Sequence, residues 1–519
     1  MTFLKSFFSK RSNLLLVYTA IVFIASYLTY FKGYDYPPSV FWDENYHIAS
    51  GQKYVEGVMF MEPHPPLGKL FVALGEKIFQ PNSDLDLTDF TKTDYIKDFP
   101  AGYSFLGVRF FSALFAWLSG VVFFYILYFI SRNPHTSLAF SSLYVFENAL
   151  ITHSRAAMLE GSLLFFILLT VLYFVYLLQK KKVHWSNHLF LGLLSGLPIS
   201  IKATGGIVFL LFPFLLAYKL SAGKELSEKS PRFSEPRFQR DSARLFFIQF
   251  FPRALSLFKN FITKGLIFSA GILIVFFSVW YVHFTLGKTA QEEKYYKASD
   301  QYKMIMENGL TGSPKYFFTM LGDNLAYMAN YNKGVPKLDV CKPDENGSHP
   351  MTWPLGDKSI NYRWEKNSEG VRYMYLQGNP IIWLMGLAGV ILSLILIIGR
   401  LIFKMPIKNR RLFFLIVAFS SLYLAYMAMM LQIERVMYLY HYFIPLLFSF
   451  ILTFLVFSYI FEERIASKSK VLFASLIAMV IIIALTYNFF SPLSYYQPLT
   501  TDQFEKRVWF DFWKLKPVK

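Results

Sequence analysis

Asp43 and Glu44 are neighbouring carboxylates, able to take a proton from a hydroxyl or to orient the group that does. Four cations, Arg109, Arg155, Lys202 and Arg435, stand where long apolar stretches begin or end, and such groups can hold a phosphate through charge-assisted hydrogen bonds. A carboxylate beside a cationic cluster suits proton transfer next to a phosphate-bearing lipid ligand. Each member also has a plainer reading. The acidic pair could simply begin a helix in the membrane interface over residues 46–60, where the dipole favours negative charge. Arg155 could pair with Glu160, Arg435 with Glu434, and Lys202 could snorkel to headgroups. Only their placement makes them a set.

Of 519 residues, 54% are hydrophobic and 19% aromatic, more than a soluble chain of this length can bury. A membrane must serve as solvent. Nine stretches, 14–31, 105–130, 161–178, 205–220, 265–284, 381–402, 412–431, 437–460 and 471–487, approach or exceed the ~20 residues that cross a ~30 Å hydrocarbon core. Two shorter ones, 137–151 and 188–201, bring the expected spans to about eleven. Lys5, Lys10 and Arg11 precede the first span, Lys180 to Lys182 follow the fourth, and Arg400, Lys404, Lys408, Arg410 and Arg411 follow the eighth. Positive charge collects on the cytoplasmic side, so the N-terminus is expected inside. Loops 32–103 and 286–380 hold twenty-two of the thirty-four acidic residues and fall outside. On this topology the four cations, with Glu160, lie at outer edges, where charge is costly and faces a cavity or a partner. Asp43-Glu44 share that side. Glu147, deeper in the third span, is expected to partner one of the bases.

The net charge of +18 would suggest nucleic acid in a soluble domain. Here it follows from cytoplasmic loops and anionic headgroups, and no nucleic-acid partner is expected. The charged start, long apolar stretch and lack of a small-residue cleavage site read as a retained helix. Cys341 is the only cysteine, which excludes an internal disulfide and a multi-cysteine metal site. Residues 221–241, rich in Ser, Lys, Glu, Pro and Arg, read as a mobile linker. The chain therefore divides into an N-terminal transmembrane module, 1–285, an outer loop, 286–380, and a C-terminal transmembrane module, 381–519. The first module includes the outer loop 32–103 and the basic cytoplasmic linker 221–264.

Phe41-Trp42-Asp43-Glu44, followed by His64-Pro65-Pro66-Leu67-Gly68-Lys69, resembles the first-loop signature of the protein O-mannosyltransferases. Further pieces follow in family order. Gly107-Val108-Arg109-Phe110-Phe111-Ser112-Ala113 resembles the motif opening the second helix, and Glu147-Asn148 with Ser154-Arg155-Ala156 the third-helix motif. Gly192-Leu193-Leu194-Ser195-Gly196 leading to Lys202 is similar to the fifth-helix stretch. Ser348-His349-Pro350 with Trp353-Pro354, Gly378-Asn379-Pro380 with Trp383, and Arg435 with Tyr440-His441-Tyr442 and Pro445 complete the pattern. The family usually has Asp where Glu160 stands and Trp where Ala203 stands. The second outer loop has no room for the β-trefoil insert of eukaryotic members, so the likeness is to bacterial ones.

The resemblance implies an all-α integral membrane protein of the GT-C glycosyltransferase type, using no metal and no other cofactor. It implies transfer of mannose, with inversion, from polyprenyl-phosphate-mannose to Ser or Thr of a polypeptide during export, at the outer face of the cell membrane. On that footing Asp43 is the base and Glu44 orients the acceptor or the base. Arg109, Arg155, Lys202 and Arg435 would bind the donor phosphate as preorganised charge. His64, Pro65, Glu160, His349 and Trp353 would bind substrate, although the His64-Pro65-Pro66 turn also reads as a rigid loop starting the next segment. Two other functions compete: a GT-C transferase with a lipid or glycan acceptor, and a lipid transporter or flippase. The His-Pro-Pro-Leu and Gly-Asn-Pro segments disfavour the first. Charges gathered at one face, without an internal repeat, disfavour the second.

Overall fold

The computed structural model describes residues 11–228, 242–342 and 345–518. Among the described residues nine helices are long and apolar enough to cross a membrane: Ser12–Phe31, Leu106–Ser131, Glu160–Gln179, Ala203–Ser221, Lys259–Leu286, Pro380–Leu401, Arg410–Leu431, Leu439–Ile460 and Lys470–Ser494. Each overlaps one of the nine long apolar stretches. The two shorter stretches are helical as well, but differently built. One is Pro134–Val145 and Asn148–Ser154, broken at Glu147, whose carboxylate restarts the helix by accepting from the Leu150 N–H at 2.6 Å. The other is the 15-residue helix Trp185–Ile199. It lies directly on Lys259–Leu286: a Cβ at Gly192 would sit 2.0 Å from the Phe268 carbonyl oxygen, so only glycine permits that approach.

The expected linker over 221–241 falls partly on residues 229–241, outside the described residues. On either side the chain is helical, in Leu211–Glu228 and Ser242–Leu286. The basic segment 221–264 is therefore largely a continuation of its neighbouring helices.

Loops 32–103 and 286–380 meet at one end of the bundle. The Met59 N–H donates to the Thr289 carbonyl at 2.7 Å, Lys294 Nζ to Asp94 at 3.0 Å, and Arg363 Nη1 to the Val40 carbonyl at 3.2 Å. Basic side chains tie the opposite end together, with Lys219 Nζ on the Leu178 and Lys180 carbonyls and Arg411 on the Phe129 carbonyl. The second loop carries most of a small antiparallel sheet, β1 (Ile360–Asn367), β2 (Gly370–Leu376) and β3 (Pro498–Leu499).

The first loop contains helices Glu44–Glu56 and Leu67–Phe79. Glu44–Glu56 is not an interfacial helix. Ile48 and Ala49 pack with Val72, Phe90, Tyr103, Phe105 and Val108, and the buried Lys53 is satisfied by an ion pair with Asp94. Helix Leu67–Phe79 presses onto the second span, where a Cβ at Gly75 would meet the Gly107 carbonyl oxygen at 2.1 Å. That contact brings Arg109 beneath the first loop.

Candidate active site

Asp43 sits at the N-cap of Glu44–Glu56, yet its side chain makes no bond to the helix N–H groups. Capping is not its role. The preceding Trp42 adopts a left-handed φ of 55°, a conformation costly for a bulky side chain and characteristic of functional loops. It turns the Asp43 carboxylate into an aromatic enclosure. Tyr440 Oη donates to Asp43 Oδ2 at 3.2 Å. The Trp42 ring stacks on Tyr362 at 5.0 Å and meets Tyr438 edge-on at 5.3 Å, and Tyr440 stacks between His153 and His441. Burial pushes the Asp43 carboxyl above its ordinary value, against the pull of the Lys202 and His153 charges. Two buried nitrogens nearby, Trp42 Nε1 and His47 Nδ1, have no partner among the described residues, which leaves polar atoms for a ligand to satisfy.

Behind Tyr440 lies a second carboxylate. Glu160 forms an ion pair with Lys202 and accepts from His153 Nε2 at 2.8 Å, while His153 Nδ1 meets the Tyr362 hydroxyl at 2.7 Å. The Lys202 ammonium stands 5.5 Å from the Tyr440 ring centre. The His64-Pro65-Pro66 turn is pinned to the same place because the Leu67 N–H donates to the Ser200 carbonyl at 2.9 Å. Pro65 is buried, and Pro66 is the N-cap of the next helix. Burial, with Lys202 and Lys69 close by, holds His64 well below the ordinary imidazole value, so it is neutral and can accept a hydrogen bond. The structure thus gathers Asp43, His64, Pro65, Glu160 and Lys202 around one enclosure.

Other expected site residues are placed elsewhere. Arg109 is fully buried and spends all five N–H groups internally. Nε and Nη2 clasp the Glu44 carboxylate at 2.7 and 2.8 Å, Nη1 donates to the Asp35 and Pro37 carbonyls, and Nη2 also donates to Ser39. Glu44 further accepts from the Phe41 and Ala157 N–H groups at 3.1 and 2.8 Å. Neither has a group left for a substrate. The donor-phosphate reading of Arg109 and the catalytic reading of Glu44 are corrected accordingly: together they hold the Asp43 loop in shape. Arg155 does not pair with Glu160; it donates to the Lys32 and Gly33 carbonyls with its guanidinium over Tyr495, and so also braces the first loop.

Arg435 does not pair with Glu434, which bridges Lys337. It and Lys202 are both within electrostatic reach of His441, on the Tyr438 side of the enclosure. Trp353 is a core residue rather than a groove wall, fully buried with Nε1 on Ser348 Oγ at 2.9 Å. His349 is exposed and caps the turn Pro350–Leu355 by accepting from the Met351 N–H. Glu147 partners no base. It accepts from the Asn379 N–H at 2.9 Å and Trp383 Nε1 at 2.8 Å, joining two of the family-like segments in the bundle interior. Conversely, Trp42, His47, His153, Tyr362 and Tyr440 line the site without having been singled out for chemistry from the sequence.

Fold and site together define a multi-pass helical membrane protein with a carboxylate-bearing enclosure where its two large loops meet. The S. cerevisiae protein O-mannosyltransferase Pmt1-Pmt2 complex bound to the sugar donor has the same fold, with a TM-score of 0.75 at 17% identity over 99% of this chain and 95% of that one. The family model for dolichyl-phosphate-mannose-protein mannosyltransferase matches residues 20–268, and that for the C-terminal four-transmembrane region of protein O-mannosyltransferase matches residues 320–513. The chain belongs to the protein O-mannosyltransferase family. Among curated relatives, dolichyl-phosphate-mannose–protein mannosyltransferase 5 of Candida albicans is 31% identical over 33% of this chain and 23% of the relative. Protein O-mannosyl-transferase 2 of Danio rerio is 30% identical over 37% and 25%. The aligned stretches span about a quarter of these relatives.

Proposed function

We propose that the chain transfers mannose from polyprenyl-phosphate-mannose to Ser or Thr hydroxyls of a polypeptide undergoing export. The observation that carries this reading is a half-buried Asp43 carboxylate, free of any capping duty, with Lys202 and His153 behind it. The acceptor oxygen attacks the anomeric carbon as the bond to the lipid phosphate breaks. Its proton passes to Asp43, and the phosphate leaves with the electron pair, inverting the anomeric centre. That leaving group is already anionic and needs cations more than an acid; Lys202 and Arg435 supply them, and the reading assigns no step to a metal or other cofactor. His64 and the unpartnered Trp42 Nε1 are positioned to bind the sugar or acceptor, with Glu160 orienting Lys202 and His153. The acidic loop end faces out of the cell membrane, and the basic end, with the N-terminus, lies in the cytoplasm.

Purified protein given labelled polyprenyl-phosphate-mannose and parallel peptide, lipid and glycan acceptors tests this. Label is expected on the Ser/Thr peptide alone. Transfer only to lipid or glycan would overturn the acceptor class, and donor translocation without transfer would favour a flippase.

A further inference from the structure

At the end of the bundle away from Asp43, a cleft of about 640 Å³ opens between the turns at 131–135 and 462–473. The 26-residue helix Leu106–Ser131, roughly 39 Å long at 1.5 Å per residue, separates it from the Arg109 end. Its charged lining is Arg132, Lys468 and one carboxylate, Glu462, which already accepts from Asn409 Nδ2 at 2.7 Å. His135 stands between, its Nδ1 paired with the Tyr18 hydroxyl and its ring edge-on to Phe473. Arg411 adds positive charge at the Phe129 carbonyl, beneath the ring on which Arg132 lies at 5.1 Å. The rest of the lining is Ser131 and Asn133 on one side and the apolar Ile465, Ala466 and Phe473 on the other, and Val471 beside the latter is 73% exposed on a membrane-spanning helix.

The backbone adds a second observation. Arg132 and Lys468 have φ of 57° and 53°, the left-handed region where helix ends normally place glycine or asparagine. Lys404 and Lys514 share that conformation away from the cleft, so what sets Arg132 and Lys468 apart is that both helix ends border one cleft. Cations over an apolar floor that runs to the membrane-facing surface fit a phosphodiester with attached acyl chains. We infer that this cleft binds the headgroup phosphate of an anionic phospholipid from the leaflet at the basic end.

Free phosphate shares the chemistry, so the test separates the two sources. Full-length protein in detergent is titrated with phosphatidylglycerol, phosphatidylcholine or inorganic phosphate, read by melting temperature and by lipid adducts in native mass spectrometry. Phosphatidylglycerol is expected to bind and stabilise, the other two not. Arg132→Gly with Lys468→Gly keeps both turns in a conformation glycine favours and is expected to weaken phosphatidylglycerol binding about 25-fold, roughly fivefold per base. Lys404→Gly removes a base of the same left-handed conformation outside the cleft and is expected to leave binding unchanged. Should the double variant fail to fold, Lys468→Gln at its exposed site reads the fivefold step alone. Wild-type phosphatidylglycerol affinity in the variants, or equal binding of phosphatidylcholine, overturns the proposal. An equal shift with inorganic phosphate overturns it in favour of a free-anion site.

Discussion

Glu44 and Asp43 are one residue apart and live in opposite surroundings. Glu44 is sealed: two bonds from Arg109, two main-chain N–H groups, no exposure. Asp43 is only partly exposed and receives one tyrosine hydroxyl. A buried pair with every donor and acceptor matched fixes geometry, since any departure strands a charge in a low-dielectric interior. A carboxylate left short of partners has lone pairs to offer and a raised proton affinity. The first region is the mould, and the proposed function makes the second the reagent.

That contrast can be broken from either side. Asp43→Asn is expected to lower mannosyl transfer about 10²- to 10⁴-fold with an unchanged melting temperature, because it removes the base and no packing. Near-normal turnover would sink the base assignment. Arg109→Ala is expected to act on stability instead, costing about 3–5 kcal/mol as Glu44 and three carbonyls lose their partner. Arg109→Lys should recover little, since one ammonium cannot replace a planar five-donor fork. A normal melting temperature with a raised donor KM would instead make Arg109 a substrate contact.

Lys202→Gln sharpens the contrast through pH. A base works deprotonated, so under the role proposed for Asp43 kcat/KM is expected to rise with pH through a midpoint above the ordinary carboxylate value of 3.8. Lys202 favours the charged form; removing it should move that limb to higher pH and cost about tenfold in rate. An unmoved limb would separate Lys202 from the base. Tyr440→Phe deletes one hydroxyl on Asp43, and a loss worth about 0.5–1.5 kcal/mol in kcat/KM, with a small upward shift of the limb, is expected.

Span length and charge asymmetry were legible because the bilayer imposes them on composition, and the long apolar stretches fall on membrane-length helices. The acids and cations at the span edges were legible as a group, but not their directions. Nothing in the residue types distinguishes Arg109, whose guanidinium turns inward onto three carbonyls, from Lys202, which faces the enclosure. His153 escaped notice although it directly precedes Ser154-Arg155-Ala156, because its partner Tyr362 lies 209 positions on. Trp42 and Tyr440 were visible only as family-like letters; their value lies in a left-handed turn and a stacked ring, which spacing does not encode.

The joint at Glu147 has a consequence for biogenesis. Its partners Asn379 and Trp383, and the Tyr362 and Tyr440 that close around Asp43, are all translated in the second half of the chain. During synthesis the early spans therefore enter the membrane with one acid awaiting its donors and the other without its wall. The ribosome delivers Asp43, Glu44, Glu147 and Glu160 and the cations Arg109, Arg155 and Lys202 before residue 285, yet the enclosure does not exist until the last spans arrive, which makes reactivity a late reward of complete insertion.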